Sequence, residues 1–174
     1  MNKNIKLWSF AGFTLTVAGG TLLHFLYNLT NQNILVAPFS SVNESTWEHM
    51  KLIFFPQFFF ALFQCKYFKD YKNFWCVKLT GILTGLLMIP VLFYTYNGAV
   101  GKSPDWLNIS IFFIAAAIAY ITEAHIFMKR PDTCKNQKLC FFIILLIGLF
   151  FIIFTFLTPK LPIFKDAING TYGI

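Results

Sequence analysis

Five long apolar stretches, separated by short polar or charged segments, make up most of the chain. They run approximately over 7–29, 47–68, 74–96, 107–128 and 139–157. Each comes near the roughly 20 residues that an α-helix needs to cross about 30 Å of hydrocarbon. The pattern predicts an all-α integral membrane protein: a bundle of five transmembrane helices in one domain over 1–174, with a short tail over 158–174. The first stretch is too long for a removed signal peptide and lacks its small-residue cleavage pattern, so it reads as a mature helix.

Polar and small positions inside the stretches are spaced for packing. In helix 1, Gly12, Thr16, Gly20, His24 and Asn28 recur every four residues. Helix 3 carries Gly81-x-x-x-Gly85, and helix 4 has a small face, Ala115, Ala116 and Ala119, that leads to Glu123. Small residues at this spacing let another helix backbone come close. These faces predict packing within the bundle, and they also suit a homo-oligomer or a membrane partner. Pro56 and Pro90 each remove a backbone donor, freeing the carbonyls of Leu52 and Leu86.

Composition sharpens the class. Hydrophobic residues make up 57% of the chain, with 23 phenylalanines, and charged residues only 12%. Soluble domains carry about 25% charged residues. Basic residues are unevenly placed. Lys3, Lys6, Lys66, Lys69, Lys72, Lys78, Lys129, Arg130, Lys135 and Lys138 fall on one side, against Lys51, Lys102, Lys160 and Lys165 on the other. The positive-inside rule then puts the N-terminus in the cytoplasm and the C-terminus outside, in a multi-pass protein of the cytoplasmic (inner) membrane. The net charge of +7 is explained by that topology and by anionic lipid headgroups, so membrane lipids are the expected partners and nucleic acid is not. Cys65, Cys76, Cys134 and Cys140 fall at cytoplasmic helix ends, where thiols stay reduced, and no C-x-x-C pair points to a zinc knuckle.

The candidate chemistry is concentrated. All three histidines and all three glutamates lie at His24, at Glu44–Glu48–His49, and at Glu123–His125. Ionisable groups at membrane depth are costly and usually line a cavity or pathway. Ser45-x-x-Glu48 reads as a capping box that starts helix 2, with Trp47 an interfacial anchor and Lys51 a snorkelling charge paired to Glu48. Capping uses one glutamate and no histidine. A hairpin of helices 1 and 2 brings His24 level with the start of helix 2. His24, Asn43, Glu44, Glu48 and His49 are therefore the candidate outward-facing binding cluster. Two imidazoles and a carboxylate, His24, His49 and Glu48, fit an open zinc constellation, although they lack the H-E-x-x-H spacing. No cofactor is fixed by the sequence; a divalent metal such as zinc is the one it suits. Glu123 is expected near the other end, as an inner station or in a salt bridge with Lys78 or Lys129.

Three functions fit these residues. One is binding or translocation of a small molecule or ion. A second is an intramembrane enzyme acting on a lipid-like substrate through a His/Glu site, and whether the chain is an enzyme stays open at this point. The third is a structural or assembly subunit whose polar motif only caps helix 2.

The runs Leu22-Leu23-His24-Phe25-Leu26-Tyr27 and Val42-Asn43-Glu44-Ser45-Thr46-Trp47-Glu48-His49-Met50-Lys51-Leu52, with Phe54-Phe55-Pro56, resemble a family of small bacterial multi-pass membrane proteins of unknown function. The tail, Leu161-Pro162-Ile163-Phe164-Lys165-Asp166 and Gly170-Thr171-Tyr172-Gly173, is similar to that family's ending. The resemblance spans nearly the whole chain, with an Asn-Glu-Ser-x-Trp-Glu-His core. It implies a bacterial cytoplasmic membrane and no particular activity.

Overall fold

The computed structural model describes residues 2–101, 104–129, 134 and 136–174. Lys102, Arg130 and Lys135, which entered the charge asymmetry, lie outside them. Five α-helices follow one another along the chain: α1 (Asn2–Leu29), α2 (Thr46–Gln64), α3 (Phe74–Val100), α4 (Asp105–Lys129) and α5 (Gln137–Phe156). A 3₁₀ turn at Pro162–Phe164 follows, and no strand is present among the described residues beyond a single antiparallel bridge between Lys165 and Tyr172.

Four helices are long and apolar enough to cross a membrane: α1 over Asn4–Leu29, α3, α4 over Trp106–Lys129, and α5. The second predicted span differs. It ends at Gln64 rather than 68, where the chain turns through Cys65 and Tyr67. It is also too polar to qualify, because α2 is the central helix and touches all four others. A helix with most of its faces against neighbours need not be apolar all round, and only its Phe59 and Phe63 side is exposed among the described large apolar residues. Glu48, Lys51 and Gln57 are buried in it and find protein partners.

Packing follows the small-residue faces. On α1, Gly12 lies against Phe60 and Tyr120, the Thr16 hydroxyl bonds Tyr120 Oη at 2.8 Å, and Gly20 lies against Phe112 and the Leu52 carbonyl. That carbonyl is the one Pro56 deprives of its helical donor. Gly81 lets α3 meet α4 at its closest: a Cβ there would overlap the Glu123 side chain. The main core gathers Leu52, Ile53, Phe54, Phe55, Ile82, Leu86, Phe112, Ala115, Ile144 and Phe151 from α2 to α5. A second cluster, Ile5, Phe68, Phe74, Val77 and Phe127, closes the opposite end. Outward, Leu7, Phe10, Leu87, Phe142 and Leu145 are exposed, part of an apolar exterior far larger than soluble monomers show.

Candidate functional site

The site is built at the hairpin of α1 and α2. Ser40, in the connection between them, reaches into α1: its hydroxyl accepts from the Tyr27 amide at 2.9 Å and donates to the Leu23 carbonyl. Those two groups would otherwise pair within the helix. The loop is thereby fixed beside His24, one residue beyond Leu23. Ser45 is the N-cap of α2, and its hydroxyl accepts the Glu48 amide at 3.3 Å.

Only half of the capping box forms. The Ser45 amide donates to Asn43 Oδ1 at 2.9 Å, and the Glu48 carboxylate turns away to Lys51 Nζ at 2.7 Å and the Val42 amide at 3.0 Å. Lys51 does not snorkel. It is fully buried, and its ammonium also donates to the Ala37 carbonyl at 2.9 Å and Thr155 Oγ1 at 3.0 Å, so all three of its protons are used. Glu48 is thus committed to an ion pair that fastens the loop, α2 and α5 together.

The carboxylate that faces both imidazoles is Glu44. Its Oε1 lies 3.7 Å from His24 Nε2 and its Oε2 3.5 Å from His49 Nε2, with the two rings 5.6 Å apart between centroids. One ligand atom from each of the three lies within 4.8 Å of the others. Two ligands held about 2.1 Å from a tetrahedral ion stand about 3.4 Å apart. The observed spacings are close to that, so the group fits a small divalent cation with little movement.

The histidines are held differently. His49 Nδ1 lies 2.9 Å from the Ser45 carbonyl, and since a carbonyl can only accept, Nδ1 carries the proton. In the neutral ring Nε2 is then a bare lone pair aimed at a carboxylate. Such a pairing calls for a cation between them or a second proton on the ring. Among the described residues His24 Nδ1 has no partner, so without an ion the neutral ring's proton is better kept on Nε2, toward Glu44, and an ion bound at Nε2 would displace it. All three side chains keep an opening: Glu44 is 38% exposed, His24 28% and His49 24%.

The tail completes the site. Asn43 Nδ2 donates to the Gly173 carbonyl at 3.0 Å, and the Glu44 amide donates to Asp166 Oδ2 at 3.3 Å. Asp166 Oδ1 in turn accepts the amides of Ile168 and Asn169 at 2.7 and 2.9 Å. Burial pushes this carboxyl up, but the amides of Asn169, Ile168 and Glu44 outweigh it and hold Asp166 below the ordinary aspartate value. Gly170, at φ 72°, makes the turn that returns the chain. Trp47 packs, tilted, on Phe164 and Phe151, with centroids 4.6 Å apart in both pairs, tying the tail to α2 and α5. Asn43 is therefore an anchor for the tail. Asp166 was not among the sequence candidates, and the Asn169-Gly170 turn was its only local signal.

Two cavities open from Glu44 and His49. One of about 220 Å³ runs past Ile89, Phe93, Asn97 and Ile111; the other, about 500 Å³, runs between α1 and α4 past Gly20, Phe25 and Phe113. Phe112, Asn108 and Ile168 line both. Each is a mostly apolar slot with a polar, titratable end.

Glu123 is elsewhere. It is buried between α2, α3 and α4, paired with Lys78 Nζ and accepting from Gln57 Nε2 at 3.0 Å. The Lys78 ammonium also sits over the rings of Phe60, Phe74 and Tyr120 at 5.6–5.7 Å. His125 is exposed and joins neither group.

A helical bundle with a two-histidine, one-glutamate cluster at the mouth of apolar slots is the class the fold and site define. The chain belongs to a family of unknown function, DUF6512, whose sequence profile matches residues 1–174. No curated protein and no solved structure matches it.

Proposed function

We propose that the chain is a multi-pass protein of a bacterial cytoplasmic membrane, with the His24–Glu44–His49 end outside, and that this cluster holds a divalent metal of the zinc type at which a lipid-like substrate is hydrolysed. The observation that carries the reading is the spacing of His24 Nε2 and His49 Nε2 from the two oxygens of Glu44, 3.7 and 3.5 Å, at the mouth of two apolar cavities.

Three protein ligands leave a zinc ion an open position, as catalytic rather than structural sites do. Bound there, the ion supplies a Lewis acid for a carbonyl or phosphoryl oxygen and lowers the pKa of water toward neutrality. The chain's own groups do the rest. Ser45 fixes the proton of His49 on Nδ1 and keeps Nε2 available. Asp166 and Asn43 hold the backbone on either side of Glu44, which sets the carboxylate between the rings. Phe112, Phe113, Ile89 and Ile111 take the hydrocarbon part of a substrate, while Asn108 gives its head a polar neighbour.

Ion translocation, the other use of these residues, draws less support. A pathway needs ionisable stations free to change partners, whereas Glu48 is tied to Lys51 and Glu123 to Lys78 and Gln57. The test is elemental analysis of the protein purified in lipid nanodiscs, followed by incubation with mixed phospholipid and polyprenyl-phosphate substrates. One equivalent of zinc that His49→Ala loses, together with head-group release that the same variant abolishes, is expected. Folded parent protein that holds no more zinc at micromolar concentration than His49→Ala would sink the proposal.

A further inference from the structure

Three cysteines meet at the other end of the bundle. The structure joins Cys76, in the first turn of α3, to Cys134, in the connection before α5, with Cα atoms 6.2 Å apart. Cys140, in the first turn of α5, brings its Sγ to 2.7 Å from Cys76 Sγ. All three sulfurs lie within 4.8 Å of one another, and each is half-buried. The neighbourhood is fastened independently of them: Gln137 Oε1 accepts the Trp75 amide at 3.0 Å, and Trp75 packs at a tilt on Phe141, 4.4 Å between centroids. The first turns of α3 and α5 are therefore side by side whatever the state of the sulfurs.

We infer that Cys76, Cys134 and Cys140 form a second metal site, a three-thiolate centre for a thiophilic closed-shell cation, zinc(II) or copper(I). A disulfide engages two sulfurs and gives no reason for a third, from a different helix, to be held against them. A metal centre takes all three. Thiolates about 2.3 Å from a zinc ion stand about 4 Å apart in a trigonal arrangement; Cys76 and Cys140, with sulfurs 2.7 Å apart, would open by about 1 Å to admit the ion once the Cys76–Cys134 pair is reduced. The basic residues around this end place it in the cytoplasm, where a dithiol is kept reduced and open to a metal. Cys65, at the end of α2, is not part of the group.

The inference does not depend on the histidine site and is tested separately from it. The full-length protein, reduced and kept under anaerobic conditions in nanodiscs, is titrated with cadmium(II), whose thiolate charge-transfer absorbance imidazole and carboxylate ligands do not produce. Copper(I) competition against a chromogenic chelator gives a second readout. The expected result is saturation at one equivalent, with affinity more than about tenfold weaker in Cys140→Ser and in Cys134→Ser. Cys65→Ser and His49→Ala should keep the band. Cys134 lies outside the helices, so its replacement leaves the bundle's own packing in place. A Cys140→Ser protein that binds like the parent would overturn the inference. So would reduced parent protein that shows no charge-transfer band and yields no copper to the site.

Discussion

The Nδ1 atom of His49 donates to the carbonyl of Ser45, the N-cap of α2 one turn earlier, across 2.9 Å. That bond decides which nitrogen of the ring meets Glu44, and it is the kind of outer contact that orients metal-binding imidazoles. His24 has no such support. Both rings are nevertheless ligands in the proposed site, with His49 the stronger. Replacement of His49 by alanine should lower zinc affinity more than replacement of His24. Each loss should exceed about tenfold, and His125→Ala should change nothing. Competition with a fluorescent zinc chelator measures all three; equal affinity in the parent and the His49 variant would remove the imidazole from the site.

The hold of the tail on Glu44 should depend on pH through Asp166. Its carboxyl titrates below the ordinary 3.8 in the folded protein. A depressed pKa adds stability that is complete above the unfolded value and is lost as pH falls through the folded one. Protection of the Ile168 and Asn169 amides, taken as exchange relative to the intrinsic rate at each pH, should therefore be high at neutral pH and fall below about 4. Asp166→Asn should already have lost that protection at pH 7 and show little further loss. Identical pH profiles for the two proteins would mean that another group governs the tail.

Glu123→Ala leaves the Lys78 ammonium buried with only aromatic rings beside it. Removing one partner of a buried pair costs about 3–5 kcal/mol, whereas exchanging both for apolar residues is often neutral. Glu123→Ala should thus unfold well before the parent in a denaturation series, and Lys78→Met combined with Glu123→Leu should recover most of the loss. Failure of the double variant to improve on the single one would point to a role for the charges beyond packing.

Two glycines of α3 should respond oppositely to alanine. At Gly81 the added methyl meets Glu123, and overpacking of that kind costs about 1–3 kcal/mol. At Gly98 it meets nothing within 4 Å, so helix propensity alone should act, a gain of up to about 1 kcal/mol. Thermal unfolding in one detergent compares them directly.

Much of this was visible in the sequence, and the limits have physical causes. The helix cores are legible because four of them hold an apolar window long enough to cross a membrane, and the α1 stripe through Gly12, Thr16 and Gly20, expected to pack, lies against α2 and α4. The Glu123 ion pair with Lys78 was one of the alternatives that its place on the alanine face suggested. The choice between Glu44 and Glu48 was not legible. It turns on Lys51, whose burial depends on acceptors at Ala37 and Thr155 that no local pattern announces. Asp166 reaches Glu44 across 122 residues, and Cys76 reaches Cys134 across 58. Contacts of that kind leave no trace in spacing.

The central position of α2 also constrains how the protein is made. Lys51 is satisfied only when Thr155 of α5 is beside it, and Gln57 donates to a carboxylate that α4 supplies. During synthesis α2 emerges before either helix exists. In the membrane placement proposed above, its polar groups must therefore wait at the insertion machinery or in the lipid headgroups, and the second helix of the chain would take its final place after the fifth has been threaded.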